Sequence, residues 1–388
     1  MMAFDTIYHK EHCGGLNKLY SLFAEFQISK RRNRRLAQSA WSPCFLGDLN
    51  RLLEHEFISR EMCSPAETDR EEHDFWEVGP VVRVKDTARV SMGWHLSAFE
   101  MLTSVVFAKP TKRESTVAEL SDEIIQFLTR DLGLSIDRIR VTVFGGGEVL
   151  PGVVVPADLS WARCWTEAGL PETAIKYIQG PMLFLLMIDR FERAGPTCEI
   201  LYNFEGKYWL EIGTAIAHDR ILVGANGDWR LESASRGAYG VAFGLERLSA
   251  LLAGRTTVVR EDYFVHACEL VWSSSSHSAD LRELMWSDVV AIVDIIRLGV
   301  ILWAFPGHPA SNRGLPSEQL RRLVRKASLL QIGSVAETVA AVGDLLLKDF
   351  ATRHERMFHD SMAGLVEQVM IPWTETWNPA GYRGLGLI

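Results

Sequence analysis

Residues Gly240 to Gly254 read GVAFGLERLSALLAG, and the choice of fold turns on them. Val241-Ala242-Phe243-Gly244 is a strand loosened by small residues, and Leu245-Glu246-Arg247-Leu248 opens a helix directly behind it. Glycine and alanine let a backbone lie close against a flat ligand. An arginine in the first helical turn projects back toward such a ligand, and its planar, permanently charged guanidinium suits a phosphate or a purine face. The alternative is an ordinary buried corner in which Glu246 and Arg247 make local ion pairs.

Composition sets the outer bounds. The 388 residues are 47% hydrophobic and 23% charged, as in ordinary globular chains, and the length suits two or three domains. A net charge of -8 excludes a global basic field, so any nucleic-acid surface must be local. The 6 cysteines (Cys13, Cys44, Cys63, Cys164, Cys198 and Cys268) show no C-x-x-C spacing and read as free thiols of a reducing compartment. No apolar run reaches the roughly 18 residues that span a bilayer. The best, Val289 to Phe305, is interrupted by Asp294 and Arg297. The N-terminus shows no signal-peptide pattern. The expectation is a cytoplasmic protein with no membrane partner.

Residues 1 to 75 are polar and mixed. Leu19 to Phe26 suits a short amphipathic helix, and the basic run Lys30 to Arg35 reads as a solvated face rather than a nucleic-acid contact. His9, His12 and Cys13 lack a second cluster and make no zinc site. Alternation predicts a strand over Val81 to Val84 and another over Val90 to Leu102, joined as a hairpin by Lys85-Asp86-Thr87. Thr116 to Leu132 reads as an amphipathic helix stopped by Gly133, and Asp137 to Phe144 as a strand. Gly145-Gly146-Gly147 lacks the lysine and helix start of a P-loop and reads as a turn. Trp161 to Gly169 reads as a short helix. Leu281 to Phe305 is a long apolar helix with Asp294 and Arg297 spaced i to i+3. A breaker-rich loop follows, then a helix capped by Ser317 that carries Arg321, Arg322, Arg325 and Lys326.

Several of these pieces together resemble one family. Ala242 to Arg247, AFGLER, is similar to the third signature motif of class II aminoacyl-tRNA synthetases, whose arginine holds ATP. Trp94 to Leu102, WHLSAFEML, resembles the second motif of alanyl-tRNA synthetase. An arginine on that family's preceding strand contacts the α-phosphate and substrate carboxylate; Arg83 fits, with Arg89 as its rival. Ala194 to Tyr202 resembles the family's G-P-C-x-E-I-x-Y segment, and Tyr208 to Ile212 its next strand ending E-I. Asp294-x-x-Arg297, the loop holding Asn312, and the helix with Arg321, Arg322 and Arg325 resemble the helical region around the tRNA acceptor stem. The likeness covers roughly residues 81 to 345 and includes no editing domain.

The resemblance implies an α+β fold, an antiparallel sheet flanked by helices and followed by an all-α region. It divides the chain into an extension over 1–75, an ATP-binding domain over 76–260 and a helical domain with tail over 261–388. ATP and Mg2+ are the implied cofactors. Arg83 and Arg247 would be catalytic, and Arg83, Arg89, Phe99, Glu100, Glu199, Glu211, Gly244 and Arg247 would line the nucleotide, with Glu199 a magnesium ligand. His95, Met101, Leu186, Thr214, Gly240 and Ala242 would meet the acid to be activated. The pattern departs where the family holds alanine. Gly240 replaces an aspartate that binds its ammonium group, Leu186 a tryptophan and Thr214 an asparagine. Losing a carboxylate that neutralises an ammonium is costly. The expected protein is therefore a stand-alone ligase that activates a carboxylic or amino acid as an adenylate and passes it to a small molecule or to tRNA. A catalytically inactive paralogue that binds tRNA or ATP, and an unrelated α+β protein, are the competing readings.

Overall fold

The computed structural model describes residues 14–30, 32–34, 74–82, 89–186, 193–225, 228–260, 262–304 and 317–353. Its centre is a mixed, largely antiparallel sheet of nine strands among the described residues. The strands are β1 (Asn33–Arg34), β2 (Phe75–Val82), β3 (Ala98–Ala108), β4 (Ile139–Phe144), β7 (Ile175–Ile178), β8 (Phe184–Leu186), β9 (Arg193–Phe204), β10 (Tyr208–Ala225) and β11 (Asp228–Gly244). Their order is β1-β2-β3-β11-β10-β9-β4-β7, with β8 beside β9; a separate hairpin joins β5 (Gly147–Leu150) and β6 (Val153–Val155). Only β1–β2 and β4–β7 pair in parallel among the described strands. The α+β expectation is met, and an antiparallel sheet surrounds Arg247.

One face of this sheet carries the helices α1 (Gly14–Ser29), α2 (Arg113–Gln126) and α3 (Leu159–Glu167). Helix α1 contains the amphipathic segment read from Leu19 to Phe26, and its Leu16, Leu19, Phe23 and Phe26 are buried in the main core. Phe23 meets Trp76 of β2 and Phe127 edge-on, at 5.9 and 5.5 Å between ring centres. Helix α1 is thus packed into the body. Within the basic run the structure corrects the solvated reading. Arg32 is buried, pairs with Glu123 at 2.6 Å and donates to Gln27 and Ser104 at 2.9 and 2.7 Å. A buried guanidinium needs all these partners to replace its hydration.

Helix α2 runs on as a π-helical turn over Phe127–Asp131 and stops at Gly133, whose φ of 69° suits glycine. At its start Arg113 joins Asp158, the residue that caps α3, and binds Asp219 of β10 at 2.8 Å. The triple-glycine turn is a crossing of backbones and no phosphate cradle. The Gly145 amide donates to Ile178 at 2.7 Å, and a Cβ on Gly146 would lie 2.8 Å from the Ala157 nitrogen.

The expected hairpin needs revision. Strands β2 and β3 do pair antiparallel, with Val82 opposite Ala98. Yet the first strand starts at Phe75, and Val90–Met92 form a 3-10 turn instead of strand. Gly93 follows with φ 82°, and its carbonyl accepts the Val258 amide at 2.8 Å. That anchor holds the segment off the sheet until Ala98.

After α4 (Leu245–Leu252) come α5 (Asp262–Ser273), α6 (Arg282–Ala304), α7 (Ser317–Leu329) and α8 (Val335–Arg353). Helix α6, 23 residues long, lays its apolar length against β3 and the other C-terminal helices. Among the described residues no helix is long and apolar enough to cross a membrane. Asp294 and Arg297 break that pattern, and both are fully buried.

Candidate active site

The meander β9-β10-β11 and the β3 strand beside it build one cleft at the β11–α4 junction. Gly244 ends the strand opposite Met101 and caps the helix, so Arg247 falls in the first turn and reaches back over the sheet. Its Nε donates to the Trp94 carbonyl at 3.2 Å, and its Nη1 to the Glu211 carbonyl at 2.9 Å. The Glu211 carboxylate lies 3.5 Å from the same Nη1. Arg247 remains one-fifth exposed, at 21%. Two backbone oxygens on different segments therefore aim a partly open guanidinium into the cleft, the arrangement an anion or a purine requires. The local-pair alternative fails: Glu246 and Arg247 pair with different, distant residues.

The cleft holds about 510 Å³, its open mouth included. Phe99, Met101 and His95 line it from the β3 side, and Gly244, Ala242, Thr214, Glu211 and Arg247 from the meander. Eight sequence-derived candidates are thus brought together. Trp94, Leu96, Ile212, Gly213, Glu246 and Val258 complete the wall without having been singled out for that role. Trp94 packs edge-on against Phe204 and Tyr208, 5.8 and 6.2 Å away. Its place directly before His95 was the available signal. Gly213 was hidden because its role is contact: a Cβ there would lie 2.5 Å from the Phe243 ring.

Register explains the polar positions. Ala242 pairs with Thr103 and Thr214, Thr214 with Glu199, and Glu199 with Thr142, so these residues share one face. The Thr214 hydroxyl donates to Glu211 at 3.1 Å, and Thr142 to Glu199 at 3.0 Å. Glu199 thus sits on the same face, two strands from Ala242 and beside the lining, already accepting Thr142. No group of three or more His, Cys, Asp or Glu side chains placed to hold a metal ion occurs among the described residues.

Other candidates lie elsewhere. Glu100 alternates between Phe99 and Met101 and therefore points away from the cleft; it is fully buried near Glu246 and Arg297. Arg89 is exposed at the start of the 3-10 turn, outside the lining. Leu186 ends β8 opposite Ala194. Arg83 and Asn312 lie outside the described residues. On α7, Arg321 and Arg325 are exposed and Arg322 is partly buried. Asp294 and Arg297 do not face an acceptor surface: they turn into the sheet, with Asp294 accepting the Ser97 amide at 2.9 Å and Arg297 pairing with Glu246.

Gly240 is two residues along β11 from Ala242, paired with the buried Val105 and Ile216. A Cβ at that point would lie 2.6 Å from the Ser104 carbonyl oxygen. At Gly240 the β3 backbone therefore leaves no room for a larger side chain. Gly240→Ala is expected to lower unfolding free energy by about 1–3 kcal/mol. A urea titration showing no change would mean that β3 yields freely there.

Known proteins resemble the chain in the same sense. No protein-family model matches it. It is 25% identical over 290 residues to an alanine–tRNA ligase of Rubrobacter xylanophilus, covering 66% of this chain and 31% of that protein. An alanine–tRNA ligase of Borreliella afzelii is 24% identical over 324 residues, covering 75% of this chain and 52% of the relative. The chain spans about a third and about half of the length of these curated relatives. Matches among solved structures include apo histidyl-tRNA synthetase of S. aureus, 12% identical with TM-score 0.35 over 61% of this chain and 66% of that one. The RNA binding domain of threonyl-tRNA synthetase from Cryptosporidium parvum Iowa II is 12% identical, with TM-score 0.40 over 71% and 79%. Matched along most of its length by two such ligases, this chain is a distant homologue of the alanine–tRNA ligases.

Proposed function

We propose that the protein is an ATP-dependent ligase that activates a carboxylic or amino acid as an adenylate and passes the acyl group to an acceptor. The observation that carries this reading is Arg247, aimed into the cleft by the Trp94 and Glu211 carbonyls beside the Phe99 and Met101 wall. The residues suit a nucleotide. Phe99 offers an aromatic face, Arg247 a planar cation, and Glu211 a carboxylate oriented by Thr214. ATP supplies the electrophilic α-phosphorus and the pyrophosphate leaving group. An oxygen of the bound carboxylate attacks that phosphorus as its bond to the leaving oxygen breaks, so no side-chain base is needed. Arg247 would spread the developing charge, and the apolar Leu96, Ile212 and Val258 would exclude water. Magnesium fits here only as an ion carried on the phosphates, with Glu211 or Glu199 contributing one carboxylate. A nucleophile of the acceptor, a small molecule or tRNA, then attacks the acyl carbonyl; the mixed-anhydride bond breaks, AMP leaves and the nucleophile's proton passes to solvent. The exposed Arg321 and Arg325 on α7 suit contact with tRNA phosphates.

The test is pyrophosphate release from ATP over a panel of amino acids and other carboxylic acids, with and without bulk tRNA. Release that depends on one acid is expected to fall by about 100-fold or more in Arg247→Ala. A mutant as active as the parent would remove Arg247 from the chemistry. A second reading is favoured by Gly240, whose lost carboxylate leaves an α-ammonium group without its usual partner. On that reading the protein binds ATP or tRNA without turnover, as a regulator. Binding with no release for any acid would select it.

A further inference from the structure

The buried charges behind the cleft are the part of the molecule that nucleotide binding leaves unexplained. Strand β11 ends at Gly244, opposite Met101. One residue further along β3, the Glu100 amide is taken by both oxygens of the Glu246 carboxylate, at 3.1 and 3.0 Å. Glu246 is the neighbour of Arg247 in the first turn of α4, where the helix terminus also favours an anion. On its other side Glu246 pairs with Arg297 of α6, which in turn donates to the Ala98 carbonyl. The Arg297 guanidinium lies over the rings of Tyr263 on α5 and Phe350 on α8, at 5.4 and 5.2 Å. One turn earlier, Asp294 accepts the Ser97 amide. Arg297 and Asp294 are completely buried, and Glu246 is 2% exposed.

This cluster bridges β3, α4 and α6. It joins the start of β3, which carries Phe99 and Met101, to the turn that carries Arg247, and it does so through a side chain from the C-terminal helices. We infer that Arg297 is a positioning residue for the nucleotide cleft: by holding Glu246 against β3 it sets the aim of Arg247, so the cleft is complete only while α6 is docked. This rests on the nucleotide reading above and adds to it a route by which whatever binds the C-terminal helices alters nucleotide affinity. The coupling passes through a physical chain of bonded groups, each with a defined partner.

The conservative variant Arg297→Lys tests it. Lysine keeps the charge but offers one compact ammonium where the fork serves Ala98 and Glu246 together. Leu170→Ala, a core truncation just after α3 and on none of the elements that carry the cluster, serves as a destabilised control. ATP affinity is read by equilibrium titration, and amide exchange is followed across residues 97–101 and 245–248. The expected result is that Arg297→Lys weakens ATP binding by tenfold or more and speeds exchange of the Glu100 amide. Leu170→Ala should change ATP affinity by less than twofold at a comparable loss of thermal midpoint. Wild-type affinity in Arg297→Lys overturns the inference, as does an equal loss in Leu170→Ala. If the parent protein itself fails to bind ATP, the nucleotide reading falls, and exchange alone decides the positioning role. Faster Glu100 exchange confined to Arg297→Lys then supports it, and unchanged exchange overturns it.

Discussion

Arg297→Met is expected to destabilise the protein by about 3–5 kcal/mol, because it strands a buried carboxylate. Glu246 has almost no solvent, and burial pushes its carboxyl above the usual carboxylate range, while Arg297 pulls it back and the nearby Glu100 charge pushes it further up. Arg297 itself, despite full burial, is held charged by Tyr263, Glu246 and Glu100. Removing the cation leaves Glu246 either ionised in an apolar site or protonated against the pH of the solution. Both states are costly. The double variant Arg297→Met with Glu246→Gln removes the stranded charge, and a glutamine oxygen can still accept the Glu100 amide. It is expected to recover about 2 kcal/mol or more relative to the single variant, since replacing both partners of a buried pair costs less than breaking it. Urea titrations of parent, both single variants and the double variant measure this coupling. A loss below about 1 kcal/mol in Arg297→Met would show that Glu246 finds water when its partner leaves, contrary to the dry packing.

The second large effect concerns pH. Burial raises the Asp294 carboxyl from its usual 3.8 to about 6, although the Ser97 amide, Arg297 and Arg322 pull it back. A carboxyl whose pKa is higher in the folded state binds its proton more tightly there. Its favourable contribution is therefore complete below about pH 4 and is lost as pH rises through 6. Over that window this one group removes about 3 kcal/mol. Asp294→Asn cannot ionise, and its side-chain oxygen can still accept the Ser97 amide bond, which is 2.9 Å in the parent. The stability of Asp294→Asn relative to the parent should therefore rise between about pH 4 and 6 and level off above that. Taking the difference cancels other buried acids, such as Asp219, whose carboxyl burial also raises. Midpoints of urea unfolding at pH 4, 5, 6 and 7 decide it. A difference that stays constant with pH would place the titration elsewhere.

Much of the site was legible in the chain itself. The strand-helix junction at Gly244 follows from small residues running into a helix former, and that alone puts Arg247 in a first turn. Phe99 and Met101 share a face because strand side chains alternate, and the same rule, applied strictly, would have sent Glu100 to the other side. The resemblance implies that Phe99 and Glu100 line the nucleotide with Met101 next to them on the acid, whereas a strand cannot present three successive residues to one cleft. The i to i+3 spacing of Asp294 and Arg297 correctly placed them on one helical face. Spacing cannot say what a face meets, and here it meets Ser97, Ala98 and Glu246, more than a hundred residues away for the first two. Gly240 was visible as a glycine where the resemblance implies an aspartate, but the lack of room beside it depends on the approach of the Ser104 carbonyl. By itself, then, the sequence determined the elements and the residue types that make the cleft, because periodicity and small residues act locally. Only the tertiary structure decided which charges face the cleft and which are buried as its support, because burial is set by partners distant in the chain.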